Sequence, residues 1–160
     1  MKKCCCLLLI CSIISFATSA SGKKLKVLFL GNSYTYVNNL PQMIAQIAAS
    51  MGDTLVWDIN APGGQQISGH FSDPVSIGKI EQGGWDNVVL QCQSQETALP
   101  DNYVQTDVYR FVSLLDSVIK KHNPCADTIL YMTRGRKTGD ADLCSQYVPL
   151  WPYFCSYQQM

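Results

Sequence analysis

The sequence predicts an α/β fold built on a parallel sheet, and three observations carry that prediction. Apolar runs of strand length alternate with stretches of helical periodicity. The first run is apolar on successive residues, as in strands covered on both faces. Each run also ends in a small or polar cluster of the kind that opens a loop. Lys24-Leu25-Lys26-Val27-Leu28-Phe29-Leu30 is the first strand and stops at Gly31. Leu40, Met43, Ile44, Ile47, Ala48 and Met51 then recur at helical spacing, with Pro41 in the first turn and Gly52 closing the helix. Thr54 to Ile59 is a second strand that runs into the loop Ala61-Pro62-Gly63-Gly64. After a helix-like segment, Asp86 to Cys92 is a third strand, ending in Gln93-Ser94-Gln95-Glu96. Val104, Val108, Phe111, Val112, Leu115, Val118 and Ile119 mark a long amphipathic helix, with Lys120 and Lys121 at its favourable C-terminal end. Thr128 to Met132 is a fourth strand. Strands joined by helices in this order predict a three-layer α/β/α sandwich. Ligands of such sheets gather at the carboxyl ends of the strands. That rule singles out Gly31 to Thr35, Gly63 to Gln65, Gln93 to Glu96 and Thr133 to Arg136.

The chain has 160 residues, 47% apolar and 15% charged, which suits one globular domain and is too poorly charged for a disordered chain. Twelve basic residues balance twelve acidic ones, so no basic excess supports a nucleic-acid-binding surface. Lys2 and Lys3, an apolar run from Cys4 to Phe16 and the small residues Ala17 to Gly22 have the layout of a secretory signal peptide. Residues 1–20 are therefore expected to be an export signal, cleaved after Ala20, and residues 21–160 the domain. The product would be periplasmic or extracellular and free of the membrane. Lipid anchoring at Cys11 is the competing reading, although Ile10 before it is bulky. Without residues 1–20, ten basic and twelve acidic groups remain, a net charge of −2, with cysteines at 92, 125, 144 and 155. Cys144 and Cys155 enclose a short Pro- and Trp-containing loop, and pairing them would stabilise it by roughly 2–4 kcal/mol. That pairing would leave Cys92 and Cys125 as a second pair or as buried thiols. No zinc-ligand spacing is present.

Gly31-Asn32-Ser33-Tyr34-Thr35 places a hydroxyl on a tight turn directly after the first strand, above the sheet. Taken with the Gly63-Gly64 pair after the second strand and the polar block after the third, VLFLGNSYT and VVLQCQSQ resemble the SGNH/GDSL hydrolase superfamily. The likeness is closest to exported bacterial members with Gly-Asn-Ser in the nucleophile block. It runs from about Lys24 to Arg136, includes the fourth-strand end from Tyr131 to Arg136, and implies the flavodoxin-like SGNH fold. It makes Ser33 the nucleophile and one oxyanion N–H donor. Gly64 becomes the second donor, with Gly63 nearly as good a match, and Gln95 stands where the superfamily has an asparagine side chain as the third donor. Asn32 and Gly63 in these blocks, His70 on the loop leaving the carboxyl side and Arg134 at the end of the fourth strand are the candidate substrate-binding positions. No cofactor and no metal are implied.

The superfamily's Asp-x-x-His, which supplies the base, does not occur in this sequence. His122, at the far end of the long helix, is expected on the side of the sheet opposite the crevice. His70, on a loop leaving the carboxyl side, is expected at the rim of the substrate cleft. A serine hydroxyl is a weak nucleophile without an adjacent base. The expectation is accordingly a C-terminally truncated member lacking the last strand and helix, impaired as an acyl or acetyl esterase acting on a small-molecule or carbohydrate ester. The alternative is a catalytically silent carbohydrate-binding or structural domain. Trp57 is expected in the core. Arg136 and Trp151 are further candidates for contact with a sugar.

Overall fold

The computed structural model describes residues 22–133. The expectations for the signal segment, for Arg134, Arg136 and Trp151, for the Cys144–Cys155 pair and for the end of the chain lie outside the described residues. Four parallel strands, β1 (Lys24–Leu30), β2 (Thr54–Asn60), β3 (Asn87–Leu90) and β4 (Asp127–Leu130), form one sheet in the order β2-β1-β3-β4. This is the expected α/β sandwich. From β1 the chain passes through α1 (Ser33–Tyr36) and α2 (Leu40–Ser50) to β2 on one side. It returns through α3 (Ile67–Ser72) and α4 (Pro74–Glu81) to β3 on the other side of β1. A short 3₁₀ turn (Glu96–Ala98), α5 (Asp101–Tyr103), a π-helical stretch (Val104–Tyr109) and α6 (Arg110–His122) then lead to β4. Right-handed crossovers in opposite directions along a sheet put their helices on opposite faces. Hence α2 lies on one face and α3, α4 and α6 on the other.

The register shows why the two faces differ. Leu28 pairs with Val88 and Leu30 with Leu90, and these four side chains point to the same face. They join Ile67, Ile80, Val108, Leu115 and Ile119 in the core beneath α3, α4 and α6, every one of them 2% exposed or less. The intervening residues Leu25, Val27, Phe29, Val89 and Ile129 face α2. There, with Leu40, Ile44 and Leu55, they line an apolar groove of about 440 Å³. The first strand is covered on both faces only from Val27 to Leu30, because its first three residues are exposed. The helical stripe expected in α2 is likewise covered only in part, since Met43, Ile47 and Met51 are exposed. Among the described strands β4 lies at the edge, and its Ile129 and Leu130 are exposed.

Trp85 is buried and donates its indole N–H to the Lys79 carbonyl at 2.8 Å, with the Lys26 ammonium over its ring. Asn123 closes the amino-end side of the sheet, where its side chain accepts from Trp85 N–H and donates to the Ile80 carbonyl. His122 sits there, 3.7 Å from Glu81, on the side opposite the strand carboxyl ends as expected. Trp57 is half-buried within β2. No described helix is long and apolar enough to cross a membrane.

Candidate active site

The turn after β1 is shaped by close approach. A Cβ on Gly31 would lie 2.3 Å from Thr35 Oγ1 and 2.7 Å from Gln91 Oε1, so only glycine fits while those two atoms keep their places. Gln91 is fully buried at the end of β3, and its Oε1 accepts hydrogen bonds from Asn32 N–H and Thr35 Oγ1–H, both at 2.9 Å. Asn32, 1% exposed, caps α1 by accepting from Tyr34 N–H at 3.2 Å. Its Nδ2 donates to the Gln65 carbonyl at 3.0 Å. One buried asparagine thus ties the turn after β1 to both the third strand and the glycine loop. Asn32, expected to contact substrate, is also the joint that holds these segments together.

Ser33 is half-buried on the first turn of α1. The loop after β2 closes through a Gln65 N–H bond to the Pro62 carbonyl at 3.2 Å. Gly64, with φ 70°, occupies the turn position that requires a left-handed residue. Gly63 lies near the Tyr36 hydroxyl. Asn32, Ser33, Tyr34, Gly64, Gln93 and Ser94 together line a cleft of about 160 Å³. A second cleft of about 340 Å³ also reaches Ser33 and is lined by Tyr34, Val37, Asn38 and Tyr131. Gln95, expected as the third donor, lies one step away. It lines a neighbouring cavity of about 500 Å³, which shares Gly64 and Gln93 with the Ser33 cleft. Besides Asn32, the carboxamide residue lining the Ser33 cleft is Gln93. It donates to Gln95 Oε1 at 2.8 Å and accepts from Gln95 N–H at 2.6 Å.

His70 corrects an expectation. It is fully buried and lines neither cleft of Ser33. Its Nε2 donates to the Gly31 carbonyl at 2.9 Å, and Nδ1 lies 2.7 Å from Ser76 Oγ. Burial pushes its pKa down, which favours the neutral ring, and the Gly31 carbonyl, able only to accept, places the hydrogen on Nε2. The Ser76 hydroxyl then lies between two acceptors, Nδ1 and Asp73 Oδ2, the latter at 3.1 Å. Asn60 donates to Ser76 Oγ and to Asp73, and Asp73 caps α4. The reason for the difference is local. Residues 67–72 are helical, and His70 follows Ile67 by three positions, so both face the core. With both ring nitrogens occupied, His70 is a strut beneath the nucleophile turn and has no free nitrogen to act as a base.

The strand-end rule marks Gln93 and Glu96 only as members of the block after the third strand, and Gln91 only as part of that strand, although a glutamine at the inward end of an apolar run is the cue for a buried polar anchor. Glu96, 1% exposed, accepts from Gln93 N–H at 2.8 Å and Ile67 N–H at 3.3 Å through Oε2, while its Oε1 is buried without a partner among the described residues. Burial, helped by the nearby Asp107 charge, raises the Glu96 carboxyl pKa. Cys92 and Cys125 are free thiols. Burial, and then the Glu96 charge, push Cys92 up to about 11. The described residues contain no cluster of side chains able to hold a metal ion.

No protein-family model matches the chain, and no curated protein matches it. Among solved structures, a protein described as "a putative SGNH hydrolase from Slackia heliotrinireducens" superposes with a TM-score of 0.66 at 23% sequence identity. The match covers 85% of this chain and 67% of that one. The chain shares that protein's fold. At this identity the likeness speaks for the fold alone.

Proposed function

We propose that the chain is an SGNH-type serine ester hydrolase in which Ser33 is the nucleophile. The supporting observation is that Ser33, Gly64 and Gln93, from the ends of three different strands, line one small cleft held together by Asn32 and Gln91. Ser33 Oγ would attack the ester carbonyl carbon and lose its proton to a base. The alcohol would leave as the carbonyl re-forms, and water would then release the acid from Ser33. The oxyanion formed at each addition needs donors aimed at it, each worth on the order of 10²–10³ in rate. The Ser33 and Gly64 N–H groups are two candidates. A carboxamide NH₂ has two hydrogens. The Gln93 bond to Gln95 uses one and leaves the other for the oxyanion. Neither described histidine is on the cleft, so this reading requires a base from outside residues 22–133. An exported protein acting on small-molecule or carbohydrate esters, with no cofactor, is the biological setting we propose.

The second reading is a catalytically silent carbohydrate-binding or structural domain, and the lack of a histidine on either Ser33 cleft among the described residues favours it. A fluorophosphonate probe separates the two. Labelling of the full chain that disappears in Ser33→Ala supports the hydrolase. A cooperatively folded chain that takes no label, with folding checked by a circular dichroism melt, refutes it.

A further inference from the structure

The three segments that meet at the Ser33 cleft are tied to one another pair by pair. Asn32 ties the nucleophile turn to the glycine loop, and Gln91 ties it to the end of β3. The remaining pair, the glycine loop and the turn of residues 93–96, carries the Gly64 N–H and the Gln93 carboxamide. One side chain joins these two. Glu96 Oε2 accepts from the Gln93 N–H at 2.8 Å and from the Ile67 N–H at 3.3 Å. The Glu96 N–H in turn donates to the Gln93 carbonyl at 3.1 Å, so Glu96 holds both backbone polar groups of Gln93. Ile67 opens α3, and Gln66 before it makes no side-chain bond to the helix start. Glu96 supplies that bond from another segment. The stretch from Gly64 to Ile67 is thus held at the Gln65 carbonyl by Asn32 and at the Ile67 N–H by Glu96. Glu96 lies at the floor of the cavity of about 500 Å³ beside the cleft and is 1% exposed. It has almost no surface to offer a substrate, so any effect on chemistry passes through the groups it holds.

We propose that Glu96 is a positioning residue for the ester chemistry: by holding the Gln93 and Ile67 amides on one oxygen, it sets the spacing between the Gly64 N–H and the Gln93 carboxamide as oxyanion donors. The inference rests on the hydrolase reading, but the spacing itself can be read without turnover. Oxyanion donors act only when aimed at one point, and a misplacement of about 1 Å can cost on the order of 10² in rate. A glutamine at position 96 keeps an oxygen for both amides. An aspartate keeps the charge but withdraws its oxygens by about 1.5 Å, one carbon–carbon bond, and cannot reach both. Asp107 on the π-helical stretch and Cys92 at the end of β3 are the titratable neighbours coupled to the Glu96 carboxyl, and Tyr103 of α5 shares its cavity. His70 on α3 is turned to Gly31 and Ser76 instead.

The test compares the full chain with Glu96→Gln and Glu96→Asp, each checked for folding by a circular dichroism melt. Fluorophosphonate labelling at Ser33 is expected to slow by about tenfold to a hundredfold in Glu96→Asp and to stay within about threefold of the parent in Glu96→Gln. Nuclear magnetic resonance of the isotope-labelled chains gives a readout free of turnover. The Gln93 and Ile67 backbone amide signals should follow one protonation, with a midpoint above the ordinary carboxylate value, that is absent from Glu96→Gln. The Gly64 N–H and Gln93 side-chain signals should move in Glu96→Asp and hold in Glu96→Gln. Unchanged labelling of a folded Glu96→Asp chain, or equal losses in both variants, overturns the inference and leaves the hydrolase standing. The absence of the shared titration overturns it as well, and decides alone should Glu96→Asp fail to fold. If the folded parent takes no label, the hydrolase reading falls. The Gly64 and Gln93 signals then decide whether Glu96 spaces the two loops, and signals that hold in Glu96→Asp overturn it.

Discussion

Gln91→Leu tests the joint from which the nucleophile turn hangs. The substitution keeps nearly the same volume in a fully buried site and removes an acceptor, Oε1, that serves two donors at 2.9 Å, together with the Nε2–H bond to the Cys92 carbonyl. The Asn32 N–H cannot turn elsewhere, and a buried donor left without a partner costs about 1–3 kcal/mol. The Thr35 hydroxyl can rotate, so its loss belongs at the low end of that range. Together the two losses predict a destabilisation of about 2–4 kcal/mol, a large share of the roughly 5–15 kcal/mol that holds a typical domain together. Urea unfolding of the parent and variant chains measures it, with an unchanged slope expected because the surface exposed on unfolding is the same. Thr35→Val should then cost less in the Gln91→Leu background than in the parent, by about 1 kcal/mol, since its partner is already gone. Labelling of Ser33 by a fluorophosphonate should slow in parallel as the turn loosens. A Gln91→Leu chain that unfolds within about 0.5 kcal/mol of the parent would refute the account of this joint.

Further outcomes follow from the buried titratable groups. The His70 pKa is lowered in the fold, so the unfolded chain takes up its proton first. Its contribution to stability is then complete above the ordinary value and declines as pH falls below it, and the stability difference between the parent and His70→Gln should shrink from about pH 8 to about pH 5 in urea titrations. A difference independent of pH would contradict this. Glu96 has the opposite sign. Its carboxyl pKa is raised, so the parent loses stability as pH climbs from the ordinary carboxylate value towards the raised one, and Glu96→Gln, which keeps an oxygen for the Gln93 and Ile67 amides, should gain on the parent over that interval. A variant that loses ground there would count against a buried, desolvated carboxyl. Cys92, with its thiol pushed up to about 11, should react far more slowly than exposed Cys125 with a maleimide near neutral pH, as read by peptide mass spectrometry. Equal rates would show that Cys92 is open to solvent.

Legibility was uneven for physical reasons. All four strands were readable, because successive apolar residues closed by Gly31, the Pro62–Gly64 loop or the polar block after Cys92 leave few alternatives. β3 is shorter than the run from Asp86 to Cys92 suggests, spanning Asn87–Leu90, although the Gln91 N–H still bonds the Leu30 carbonyl at 2.9 Å while its side chain enters the joint. The stripe on α2 was readable as a helix but not as exposed, since periodicity reports which residues share a face and not whether anything covers that face. At the site, the positions of Ser33 and the glycine loop followed from the strand ends. The choice between Gln93 and Gln95 did not, because in an irregular turn two glutamines two residues apart have no period to separate them.

By itself the sequence determined the α/β class, the strand order along the chain and the carboxyl-end turn on which Ser33 sits, since these depend on local composition and on the geometry of alternating strands and helices. Only the tertiary structure decided what each polar side chain near that turn is for. His70 became a strut, Gln91 an anchor, Asn32 a joint and Glu96 the floor of a cavity, because those roles depend on burial and on partners between 29 and 59 residues away, and no local pattern encodes a hydrogen bond made at that distance along the chain.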